Sequence, residues 1–170
     1  ETGSPCPRGE IGEIYGRRDD LPDFTYLNRA EARAEAGSGD LVTMGDVGFI
    51  DADGYLFLSD RKTDMIISNG VNIYPAQIEA AILAHPEVAD CAVFGIPDDL
   101  AGESVAAIIQ PVAGCRLDAQ GLTAFLKSKI ANYMVPRHIE ERLSFPRDDA
   151  GKVKKRELRA RYWEDVKRTI

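Results

Sequence analysis

Between residues 9 and 16 apolar side chains alternate with polar ones and with glycine, which predicts a short strand. The polar stretch over residues 17–40 then reads as a long structureless connection lying against another surface. Val47-Gly-Phe-Ile50 and Tyr55-Leu-Phe-Leu58 flank Asp51-Ala-Asp-Gly54, the pattern of a hairpin with Asp-Gly at its tip. Residues 60–64, all polar, interrupt the apolar sequence and suit a junction. Beyond them Met65-Ile-Ile-Ser68 and Val71-Asn-Ile-Tyr74 flank Asn69-Gly70, a second hairpin signature. Pro75 suits the first position of a helix carrying Ile78, Ala81 and Ile82 on one face, which Pro86 ends.

Two strands are expected over residues 90–96 and 104–112, with Pro97-Asp-Asp99 in the connection between them. A helix follows near residues 119–130, burying Leu122, Phe125, Leu126 and Ile130, and a last strand runs through residues 138–143. From Val153 the chain reads as a helix with Leu158, Tyr162 and Val166 aligned. The fold class is α+β: a short sheet flanked by helices from about residue 65 onward, preceded by β-rich material that looks incomplete.

Composition narrows the function. With 170 residues and 44% hydrophobic content, the chain suits one ordinary domain or two small ones with a real core. A formal net charge of -7 argues against non-specific binding of nucleic acid or an anionic membrane, so any polyanion must be bound locally. Cys6, Cys91 and Cys115, odd in number and widely spaced, support neither a disulfide framework nor a zinc site and suit a reducing cytoplasm. No apolar run approaches the ~20 residues of a transmembrane helix. The first residues lack both a signal-peptide pattern and a starting methionine, which suggests an internal start.

Three segments are candidates for chemistry. The first is Pro146-Arg-Asp-Asp-Ala-Gly-Lys152, a flexible loop carrying a lysine just before a basic helix; taken alone it also suits a plain solvated loop. It is not a Walker loop, because Pro146 replaces the first glycine and Val153 follows the lysine where Ser or Thr is required. The second joins Thr43-Met-Gly-Asp46 to Asp60-Arg61 across one hairpin, an acceptor and a donor able to grip vicinal hydroxyls of a ribose or simply to form a surface ion pair. The third is Gly70, where another chain can pass close to the backbone, or which merely completes an Asn-Gly turn. His85, His138, Tyr162 and Trp163 read as structural, and Cys91 and Cys115 as ordinary buried or half-buried side chains.

In their order and separation, GDVGFIDADGYLFLSDRKTDMIISNGVNIYPAQIE and FPRDDAGKVKKRELR closely resemble the C-terminal part of acyl-CoA synthetases in the adenylate-forming superfamily of AMP-binding enzymes. The resemblance covers about residues 9–161. It implies that residues 1–62 are the last β-rich subdomain of a large N-terminal AMP-binding domain and that residues 63–170 are the mobile C-terminal lid. It also implies two half-reactions, acyl-AMP formation from ATP and a carboxylic acid, then thioester formation with coenzyme A. Mg2+ would be bound mainly by the large domain, and the isolated chain would be inactive.

Carried over by position, Lys152 resembles the lysine that reaches the substrate carboxylate and α-phosphate. Asp46 and Arg61 resemble the pair holding the ribose hydroxyls, Thr63 falls at the hinge, and Gly70 resembles the glycine lining the pantetheine passage. Aligning on Pro136 makes Lys127 a candidate contact to a coenzyme A phosphate. The chain departs from the family at Asp60 (usually Gly), Met44 (commonly Thr), Met134 (often Lys) and Thr63 (usually Asp or Lys), the last with consequences for the balance of lid states. Rival readings are the adenylation domain of a peptide synthetase and a non-catalytic interaction module. A lysine acetyltransferase acting on Lys152 would remove its charge.

Overall fold

A computed structural model describes residues 4–17, 19–20 and 22–164. Contacts divide the chain into two compact units, Glu1–Thr63 and Asp64–Ile170.

The first unit contains β1 (Gly12–Gly16), α1 (Ala30–Glu35), β2 (Gly37–Ser38), β3 (Leu41–Ile50) and β4 (Leu56–Arg61). The four strands form one antiparallel sheet in the order β1-β3-β2, with β4 also on β3. The Asp51–Gly54 turn closes as its sequence predicts: Asp51 N–H bonds to Tyr55 O at 3.0 Å, and the Asp51 carboxylate accepts from Tyr55 N–H at 2.8 Å. Residues 17–40 are not the structureless connection expected. Ala30-Glu-Ala-Arg-Ala-Glu35 consists of strong helix formers, which outweigh the polarity of the stretch. Nor do residues 60–64 form a uniform junction, since Asp60 and Arg61 complete β4 and only Lys62–Asp64 makes a 3-10 turn.

The second unit runs β5 (Ile66–Ser68), β6 (Val71–Ile73), α2 (Pro75–Leu83), β7 (Val88–Asp98), β8 (Gly102–Pro111), α3 (Ala119–Lys127), β9 (His138–Glu141) and α4 (Lys155–Trp163). β7 and β8 form a long antiparallel ladder. β8 also pairs with β5 at Ser68–Gly102, and in parallel with β9 from Ala106 to Ile109. Successive side chains of a strand face opposite ways, and here both faces are covered. Val93, Val105, Ala107 and Ile109 pack with Ile78 and Ile82 of α2 and Leu122 and Leu126 of α3. Ala92, Phe94, Ala106 and Ile108 pack with Phe145 and with Leu158 of α4. That is why both strands read as continuous apolar runs.

Boundaries moved in places. β7 continues through Pro97 and Asp98, so the turn is shorter than expected. β9 stops at Glu141 and leaves Leu143 82% exposed. α3 ends at Lys127, with Asp118 capping its start by accepting from Gln120 N–H at 3.0 Å, and Phe125 and Ile130 are only partly buried. Cys115 is exposed, in the turn after β8, whereas Cys91 is buried. Val166 lies outside the described residues. Among the described residues, no helix is long and apolar enough to cross a membrane.

Candidate functional site

In the first unit the site is set by a strand irregularity. From Ile50↔Leu56 to Gly48↔Leu58 the β3–β4 ladder is regular, but Val47 pairs with Asp60 and Asp46 with Arg61. One extra residue on β4, Ser59, therefore slips the register. A regular ladder would set Asp60, a like charge, opposite Asp46; the bulge brings Arg61 there instead. A second irregularity lies between β1 and β3, where Gly45 takes φ +78 and donates to Thr43 Oγ1 at 2.9 Å. Arg61 Nε stands 3.5 Å from Asp46 Oδ1, with the side chains 68% and 34% exposed. So open a pair adds at most about 1 kcal/mol to stability, and its remaining donors and acceptors are accessible to a diol. The Asp60 carboxylate accepts from the Arg61 N–H at 2.8 Å. Beside the pair, Lys62 bonds Glu13 at 2.8 Å. Burial alone would push the Glu13 carboxyl up, but the Lys62 ammonium and the Thr43 and Tyr15 hydroxyls outweigh it and hold the carboxyl below its ordinary range. Thr63, in the 3-10 turn, is the last residue of the first unit and is exposed.

In the second unit, Asn69 and Gly70 take φ 50 and 76, the pair of positive values a two-residue hairpin turn requires. The turn is pinned by Asn69 N–H bonding to Ala101 O at 2.8 Å. An added Cβ at Gly70 would meet nothing within 4 Å, so the glycine answers to backbone conformation and leaves its surface open.

Lys127 ends α3 at the edge of a depression of about 460 Å³ that it shares with Gln120, Thr123, Pro136 and Arg137. Sequence reasoning missed Arg137, although it directly follows the Pro136 used for alignment. Its nearest carboxylate partner, Asp98, is 3.8 Å away, which leaves the guanidinium largely uncommitted.

Lys152 lines a groove of about 620 Å³ with Asp64, Glu79, Cys91, Lys155 and Arg156. The flexible loop expected from its composition is instead a hydrogen-bonded hairpin: Arg147 bridges Val153, and Asp148 N–H bonds to Lys152 O at 2.9 Å. The neighbouring lysines are committed, Lys154 to Glu157 at 3.1 Å and Lys155 to Glu79 at 2.7 Å. Among the described residues Lys152 makes no such ion pair. The Cys91 thiol, which also lines the groove, is pushed up to about 12 by burial and by the charges of Glu79 and Asp90, which disfavours the nucleophilic thiolate. Among the described residues no cluster of His, Cys, Asp or Glu converges so as to hold a metal ion.

The structure thus joins Asp46 to Arg61 within the first unit and gives Gly70, Lys127 and Lys152 separate places in the second. His85 packs edge-on against Phe125, and Trp163 donates to Gly95 O at 3.1 Å, both structural roles.

Residues 77–152 match the AMP-binding enzyme C-terminal domain family. A feruloyl-CoA synthase from Amycolatopsis is 40% identical over 95% of this chain and 33% of its own length. A fatty acid–[acyl-carrier-protein] ligase, ScoC, from Streptomyces coeruleorubidus is 35% identical over 99% of this chain and 32% of its own. Among solved structures, o-succinylbenzoate CoA synthetase from Bacillus subtilis, in complex with its acyl-adenylate intermediate, superposes with a TM-score of 0.84 at 32% identity, over 93% of this chain and 32% of that one. The chain spans about a third of the length of the curated relatives it matches. Its α+β fold matches the C-terminal lid domain of such enzymes. Residues 77–152 thus carry the C-terminal domain of AMP-binding enzymes, and the chain is similar over nearly its whole length to about a third of acyl-CoA ligases.

Proposed function

We propose that the chain is the C-terminal part of an ATP-dependent carboxylic acid–CoA ligase of the cytoplasm, acting on a fatty or aromatic acid. Residues 1–62 then belong to the large AMP-binding domain and residues 63–170 form the lid, with Thr63 at the hinge. In the first half-reaction the substrate carboxylate attacks the α-phosphorus of ATP and pyrophosphate leaves. In the second, the thiol of coenzyme A attacks the acyl carbon and AMP leaves.

The observation that carries this reading is the ammonium of Lys152, uncommitted among the described residues, while Lys154 and Lys155 just after it are already held by carboxylates. A carboxylate and a phosphate repel as they approach, and a desolvated cation placed between them lowers that barrier. Withdrawing the same cation clears the site for coenzyme A. Asp46 accepts from, and Arg61 donates to, the ribose hydroxyls. Gly70 leaves its surface open to pantetheine, and Lys127 contacts a coenzyme A phosphate, with Arg137 alongside. The cage for Mg2+ would belong mainly to the large domain. Acetylation of Lys152 would neutralise the ammonium and stop the first half-reaction.

Because one relative charges a carrier protein, a second reading keeps the adenylation step and changes the acceptor. With the full-length protein, ATP–pyrophosphate exchange driven by aryl and fatty acids tests the first step. Supplying coenzyme A and a phosphopantetheinyl carrier protein in parallel then separates the acceptors. The ligase reading expects thioester on coenzyme A, and product only on the carrier would favour the second reading. No exchange with any acid would favour a non-catalytic module.

A further inference from the structure

The sequence singled out the two aspartates before Lys152 only as loop composition, and the proposed chemistry gives them no part. We propose that Asp148 and Arg147 are positioning residues for Lys152, fixing the backbone of its turn to strand β7 so that the ammonium always starts from one place.

The Asp148 carboxylate reaches over the turn and accepts from two backbone N–H groups through one oxygen, Ala150 at 3.0 Å and Lys152 itself at 2.9 Å. The backbone of the same residue closes the turn from below: Asp148 N–H bonds to Lys152 O at 2.9 Å, and Gly151 N–H to Asp148 O at 2.9 Å. Gly151, at φ +80, supplies the left-handed residue this closure needs. Lys154 N–H to Pro146 O at 2.9 Å clamps the base of the hairpin.

A turn tied only to itself would still swing as a body, and Arg147 prevents this. One guanidinium nitrogen donates to Gly151 O at 2.8 Å, and another forms an ion pair with Asp90 on β7. The second Asp90 oxygen accepts from Cys91 N–H at 2.8 Å, so the carboxylate is itself fixed to the sheet. On either side of the hairpin, Phe145 and Leu158 are buried in the core that covers one face of that sheet.

Lysine has a flexible four-carbon stem, and the only part of it a protein can fix cheaply is the Cα from which it reaches. Displacement of a reacting group by about 1 Å costs as much as 10²-fold in rate. A composition of Asp, Asp, Ala and Gly therefore yields a rigid mount, because Asp148 spends its carboxylate on the turn's own amides.

This inference rests on the ligase reading for its rate effect, but its structural half stands apart. In the full-length protein, Asp148→Ala and Arg147→Met should each lower single-turnover acyl-adenylate formation about 10-fold. Thioester formation from supplied acyl-adenylate should not change. Asp148→Asn, whose side-chain oxygen accepts from the same two amides, should restore adenylation. Added to Lys152→Ala, Asp148→Ala should cause no further loss. Equal loss in both half-reactions, or a full additional loss on top of Lys152→Ala, would overturn the assignment. In the 170-residue chain, hydrogen exchange at the Ala150 and Lys152 amides should accelerate in Asp148→Ala and not in Asp148→Asn; unchanged exchange would overturn the mount itself. Adenylation left intact by Lys152→Ala would overturn the role of Lys152 in that step and leave the ligase reading standing, and amide protection alone would then decide whether the mount exists.

Discussion

The two units solve the same problem, burying a sheet, to very different degrees. In the second, both faces of β7 and β8 are covered, and Ile66, Ile108, Ile109, Leu122, Leu126 and Leu158 are all at most 1% exposed. Among the described residues of the first unit, Val47 is the one large apolar side chain that is buried, while Tyr55, Leu56, Phe57 and Leu58 of the β4 arm are 47–69% exposed. The difference separates two uses of a sheet. The described residues of the second unit have a core of their own. Residues 4–63 have the ladder without the cover, which fits the proposal that they complete a larger domain.

The widest separation between the units should come from truncating one leucine in each. Leu122→Ala, in the core of the second unit, should cost about 3 kcal/mol in urea unfolding, as for other buried leucines. Leu58→Ala, 66% exposed, should change stability by no more than about 0.5 kcal/mol in this chain. Comparable losses at both sites would erase the contrast. A smaller effect is expected at Gly70, where alanine must adopt φ 76 in otherwise open space. Gly70→Ala should cost about 1 kcal/mol of unfolding free energy. A neutral result would mean that the turn relaxes.

The gentlest test is pH. Burial would push the Glu140 carboxyl up, but the Arg161 guanidinium, the Tyr162 hydroxyl and Arg142 outweigh it and hold it below the ordinary glutamate value of 4.5. The folded state therefore binds a proton at this group less readily than the unfolded chain. Its contribution is fully present above about pH 4.5 and is lost as pH falls through the lowered folded value. Glu140→Gln should flatten the acid limb of the stability profile of the second unit; an unchanged limb would remove Glu140 as its cause.

Legibility followed the range of the interaction. Asp53-Gly54 and Asn69-Gly70 were plain because a tight turn is fixed by its own residues. The apolar runs of β7 and β8 were recognisable, yet their ends were not, since Pro97 and Asp98 join the ladder only because Glu103 and Gly102 lie opposite. Helix α1 was lost because its residues bury nothing, so no apolar stripe announced it. Asp46 and Arg61 are legible as facing residues of one hairpin, but the Ser59 bulge that sets them opposite one another has no sequence pattern. Lys152 stands out in the sequence only through the order of motifs. The order of its turn does not stand out, because Asp148 and Arg147 act through specific hydrogen bonds that composition does not encode.

Lys152 carries the central claim, and the most direct test is single-turnover kinetics of Lys152→Ala in the full-length protein with the two half-reactions measured separately. Acyl-adenylate formation should fall by about 10²-fold or more, the usual consequence of removing one preorganised charge from a transition state. Thioester formation from supplied acyl-adenylate should be largely spared. Equal loss in both steps, or adenylation at the unmodified rate, would contradict the account.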